Sequence, residues 1–114
     1  MQTYAAQMTL VKKLTKKSFE EALDMRRVDP SVYIRMLCEI SVRFVFEEMK
    51  KQYDENRTHI QTSTGQLIQE CNMELMRQVE SFTRKAQSYT VESYALWRKT
   101  LKNVVGDVMK KHAE

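Results

Sequence analysis

The chain has 114 residues, with 19 basic against 15 acidic side chains and a hydrophobic fraction of 42%. That is long enough to bury one core without staples and too apolar for intrinsic disorder, and no uncharged apolar run approaches the roughly 18 residues that a membrane-spanning helix needs. Two glycines and one proline stand against eight methionines, so turn formers are scarce, and the composition predicts an all-α antiparallel bundle of three or four helices in one domain over 1–114.

The first segment, about 4–27, keeps Met8, Val11, Leu14, Ala22 and Met25 at helical spacing. Ser18 with Glu21 three later reads as a capping box, so the segment can break near Ser18. Residues 1–19 of the chain carry four lysines and no acid. That bias is shared with mitochondrial presequences, but those favour arginine, and an ordinary first helix is expected. Lys12, Lys13, Lys16 and Lys17 fall on one quadrant of such a helix, with Lys16 and Lys17 spaced to pair with Glu20 and Glu21.

Val28-Asp29-Pro30 is the clearest boundary. An Asp oxygen can cap a helix, and Pro suits the first helical position because its missing N–H would be unpaired there anyway. The helix that follows, about 30–54, is apolar over most of its circumference. Tyr33, Leu37, Ile40 and Phe44 form one stripe, Ile34, Cys38, Val45 and Met49 a second, and Met36, Val42, Phe46 and Tyr53 widen the face. Arg35, Glu39, Arg43, Glu47 and Lys51 alternate in sign every four residues along the polar edge, each pair worth about 0.2 to 0.5 kcal/mol. Burying one large apolar side chain is worth roughly 1.5 to 3 kcal/mol, so the stripes decide the packing. This helix must be central, covered on at least two sides by its own chain or by another. Phe44, Phe46, Met49 and Tyr53 are the candidate partner interface.

Residues 54–66 read as a loop closed by a second capping box, Ser63 with Gln66. From Leu67 to Met109 the pattern stays helical and no proline stops it. Two versions stand: helices at about 64–87 and 89–111, with Ser88 or Thr90 as cap, or one very long C-terminal helix. Trp97 fits the core stripe, with an exposed anchor as the competing role. Met73 and Met76 flank the main stripe, where flexible side chains can fill core gaps or line a binding groove. Arg98, Lys99 and Lys102 form a second basic patch.

Cys38 and Cys71 lack the spacing of a metal or redox motif and read as buried free thiols. They suit a reducing intracellular compartment, cytoplasm or nucleus, with the mitochondrial matrix as the competing location. Two glycines cannot build a phosphate-binding Gly-rich loop. His59 and His112 lie in the loop and at the far terminus, where solvation is expected, and no nucleophile, base and acid come together. Neither metal nor cofactor is implied, and catalysis is not expected.

The reading is therefore a non-enzymatic helical interaction module, a scaffold or assembly subunit, binding a protein partner or itself through Phe44, Phe46, Met49 and Tyr53, with Trp97 as a weaker anchor. The alternative is a basic accessory protein that contacts nucleic-acid phosphates, or an anionic membrane surface, through Lys12, Lys13, Lys16, Lys17, Arg98, Lys99 and Lys102.

Overall fold

In a computed structural model that describes residues 11–56, 62–85 and 90–113, helix starts are set by side chains that take up the free backbone N–H groups of the first turn. Thr15 is extended, and its hydroxyl accepts from Ser18 N at 3.0 Å while Ser18 Oγ accepts from Thr15 N at 2.8 Å. This reciprocal box opens α1, Lys16–Met25. Asp29 Oδ1 accepts from Ser31 N at 3.1 Å and Val32 N at 3.3 Å, opening α2, Pro30–Asn56, with Pro30 in its first position. The Ser63 hydroxyl accepts from Gln66 N at the start of α3, Thr64–Lys85. Thr90 and Ser93 repeat the Thr15 box at 2.9 and 2.8 Å and open α4, Val91–His112.

The described residues thus hold four helices and no strand. The version with a break before Thr90 is the one observed. One boundary moves: Ser18 is the third residue of α1 and not its cap, because Thr15 supplies the cap, and residues 11–15 are not helical. Lys12 and Lys13 therefore precede the helix, and the expected start near residue 4 falls outside the described residues.

Pairings across the helices fix their directions. Tyr33 meets Thr83, so α2 and α3 are antiparallel. Ser41 meets Trp97 and Gln52 meets the Lys102 carbonyl, so α2 and α4 run the same way. Phe82 meets Trp97 and Glu70 meets His112, so α3 and α4 are antiparallel. The result is an up-down-up bundle of α2, α3 and α4, and α2 also packs against α1. At ten residues α1 is too short to be stable alone. It is held by Phe19, fully buried, whose ring stands 5.9 Å from Phe82 and 5.3 Å from Tyr94.

The helix expected to be central is central, since α2 contacts all three others. Its buried side moves as it runs. Tyr33, Leu37 and Ile40 are buried in the first half, and Val45, Phe46 and Met49 in the second. At about 100° per residue Phe46 lies roughly opposite Leu37 on the helix. The polar edge pairs as its spacing predicts, Arg35 with Glu39 at 3.9 Å and Arg43 with Glu47 at 3.2 Å.

Two hydroxyls, the buried one of Ser41 and the half-buried one of Thr83, lock this arrangement. Ser41 donates its hydrogen to the Leu37 carbonyl at 2.6 Å and accepts from Trp97 Nε1 at 2.9 Å. Thr83 donates to the Val79 carbonyl at 2.7 Å, so in the 2.8 Å contact with Tyr33 the tyrosine is the donor. Replacing Ser41 by alanine strands the indole N–H in the core and is expected to lower stability by about 1 to 3 kcal/mol. A urea-melting midpoint unchanged by Ser41→Ala would contradict the role given to this bond.

The Asp29 cap carries a pH dependence. Its hydrogen bonds to the Ser31 hydroxyl and to the Val32 and Ser31 amides hold the carboxyl below its ordinary value. The resulting stabilisation is complete above the unfolded aspartate value of about 3.9 and is lost as pH falls through the lower folded value. Asp29→Asn keeps a capping oxygen without the titration, so its acid-unfolding curve should lack this contribution in that window, and an identical curve would refute the assignment.

Candidate functional site

Three regions hold side chains that core packing leaves unused: the outward face of α3, the outward face of α4, and the bundle end where α2 stops, α3 starts and α4 stops. None of the described helices is long and apolar enough to cross a membrane. Among the described residues no three His, Cys, Asp or Glu side chains are placed to hold a metal ion.

The structure distributes the candidate interface residues unequally. Trp97 is fully buried, and Phe46 and Met49 are 8% and 5% exposed, so these three are committed to the chain's own core. The rotation of the buried side of α2 is the reason. Phe44 is half-buried, with the Arg98 guanidinium 5.7 Å from its ring centre, and Tyr53 is exposed. Val28 and Val91, at helix ends, are the most exposed apolar residues, and a pair within a helix lies on α3. Met73 and Met76, one turn apart on α3, are 56% and 61% exposed, on the side away from Ile68, Cys71, Leu75, Val79 and Phe82. They are not gap-fillers of the core.

The candidate phosphate-contacting residues also separate. Lys12 pairs with Glu21 at 3.6 Å, the acid that spacing had offered to Lys17. Lys13, Lys16 and Lys17 are exposed. Arg98 is exposed and stacked over Phe44 and Tyr94, and Lys99 and Lys102 point to solvent beside it. Like charges three and four residues apart in this trio oppose the helix by a few tenths of a kcal/mol per pair.

The far end of the bundle holds a group that no local pattern announced. His112, expected to be solvated, is half-buried; its Nε2 lies 2.6 Å from Glu70 Oε2 and its Nδ1 3.0 Å from Thr62 Oγ1. A carboxylate only accepts, so Nε2 carries the proton, and in the neutral ring Nδ1 accepts the Thr62 hydroxyl. Hydroxyl, imidazole and carboxylate stand in the order used to activate nucleophiles, but with the two ring nitrogens exchanged relative to the serine-protease arrangement. The group works as a clasp joining the last residue of α4 to the start of α3. The imidazole also sits with Lys110 and Lys111 at a helix C-terminus, where positive charge is favoured. His59 lies outside the described residues.

Neither thiol is activated. Burial, with the Glu70 charge adding to it, pushes the Cys71 thiol up to about 12, and burial also raises Cys38. Both are free.

Comparison with known proteins returns no relative: no family model, no curated protein and no solved structure matches the chain.

The clasp makes a measurable claim. His112→Ala should cost about 1 to 2 kcal/mol and speed amide exchange in the first turns of α3 and the last turn of α4, leaving exchange around Trp97 unchanged. Uniform acceleration, or none, would contradict a local clasp.

Proposed function

We propose that this chain is a non-enzymatic helical interaction module, a scaffold piece or assembly subunit that binds a protein partner or a second copy of itself through an apolar helix face. The observation that carries the reading is the exposed pair Met73 and Met76 in the middle of the outward face of α3. Methionine is unbranched and polarizable and adapts to irregular partner surfaces. Full burial of such a side chain is worth roughly 1.5 to 3 kcal/mol, and with a little over half of each in water a partner's surface recovers a corresponding part. Arg77 and Arg84, exposed on the same helix and paired to Glu74 and Glu80, supply a polar rim, the usual surround of an apolar interface centre. Tyr53 and Ile34, at 47% and 36% exposure on α2, provide smaller apolar contacts.

Methionine oxidation tests this directly, because peroxide reaches exposed thioethers first. In dilute purified protein Met73 and Met76 should oxidise faster than the buried Met49 and Met109. Raising the protein concentration, or adding extract from the source cells, should protect Met73 and Met76 several-fold. Equal oxidation of this pair under all three conditions would sink the proposal.

A further inference from the structure

The second uncommitted surface leads beyond that reading. We infer that the outward face of α4 around Arg98, Lys99 and Lys102 is a docking surface for the phosphate backbone of a double-stranded nucleic acid.

The described arginines of α2 and α3 differ in their surroundings from the bases in the middle of α4. On α2 and α3, Arg35, Arg43, Arg77 and Arg84 each pair with a glutamate three or four residues away on the same helix. On α4 the positions three and four residues from Arg98, Lys99 and Lys102 are Tyr94, Ala95, Leu96, Leu101, Asn103, Val105 and Gly106, together with the bases themselves, and include no acid. Neither Lys99 nor Lys102 makes an ion pair among the described residues. Glu48, on the neighbouring α2, is engaged by Gln52 Nε2 at 3.1 Å, and the same Gln52 amide donates to the Lys102 carbonyl at 3.2 Å, pinning the helix that carries the lysines. Arg98 is held over two rings at 5.7 and 5.8 Å, so its guanidinium is in place before any anion arrives. Lys110 and Lys111 continue the basic character a little over two turns on, past Asp107.

A protein partner would need an apolar centre here, and a membrane surface an apolar wedge. Between Glu92 and Asp107 the solvent side of α4 shows Ala95, Arg98, Lys99, Lys102 and Asn103, with no large hydrophobic exposed. Single-stranded nucleic acid is held by stacking bases on exposed aromatics. The exposed aromatic among the described residues is Tyr53, on α2, while Phe44 and Tyr94 lie half-buried under Arg98. A row of like charges on one helix, anchored at Arg98 and without stacking partners, fits a duplex, whose phosphates form a regular row.

The test is fluorescence anisotropy with a labelled DNA duplex and the matching single strand, for the wild-type chain, the K99A/K102A double variant and a K16A/K17A control. Three neutralised phosphates give a log–log salt slope of about −2.7, so duplex affinity should fall roughly 40-fold between about 50 and 200 mM salt. K99A/K102A, folded by circular dichroism, should bind more weakly at low salt and reduce the slope by about two units; K16A/K17A should leave it unchanged. No duplex binding at low salt overturns the inference. So does equal binding by K99A/K102A, tighter binding of the single strand, or retention on phosphatidylserine vesicles without duplex binding.

Discussion

A buried indole N–H must find an acceptor, and the solution to that requirement organises this bundle. Trp97 is fully buried and donates to Ser41, whose own hydrogen is committed to the Leu37 carbonyl one turn back. The bond leaves α4 one height at which it can sit on α2, because sliding by a turn would strand a polar group in the core at a cost of about 1 to 3 kcal/mol. Much else follows from that register. Phe82 of α3 packs 4.9 Å from Trp97, and Phe19 reaches across from α1 to Phe82 and Tyr94, so the aromatic rings of three helices meet at one end. Further along, the same register brings Gln52 to the Lys102 carbonyl.

The two ends of the bundle are held by different physics. Where α2 begins, aromatic packing gathers α1, α3 and α4. Where α2 ends, closure is polar, through Thr62, His112 and Glu70. Both devices draw on side chains of several helices, and α2 buries most of its large apolar side chains, leaving a polar edge with Ile34 and Tyr53 in solvent. The outward faces of α3 and α4 are what remains. Of those two helices, one presents methionines and the other bases with no ion pair among the described residues.

How legible this was depended on the range of the interaction. Asp29-Pro30, Ser63 and Thr90 mark their helices correctly because a cap is a local event, complete within four residues. Ser18 differs for a local reason too: the Ser-with-Glu spacing marks a box at Ser18, whereas the reciprocal partner in this fold is a serine, in Thr15 with Ser18 and again in Thr90 with Ser93. The central place of α2 could be read from its apolar circumference. Which of its apolar residues stay exposed could not, since the buried side drifts to the opposite face between Leu37 and Phe46, and that drift is set by neighbours that periodicity does not describe. The same limit hid the role of His112, whose partners lie 42 and 50 residues away.

Two features of the surface work against stability: thioethers exposed in the middle of α3, and like charges crowded on α4 with no acid in reach. A domain of this size is stable by only about 5 to 15 kcal/mol, and glutamate at Met76 or at Lys99 would be compatible with the helix and soluble. Elsewhere in the chain such substitutions are already in place. Every described arginine of α3 has its glutamate, and the hydroxyls of Ser41 and Thr83 have their partners. Among the described residues these two faces are departures that local packing does not explain, and such departures are where a requirement other than folding leaves its trace.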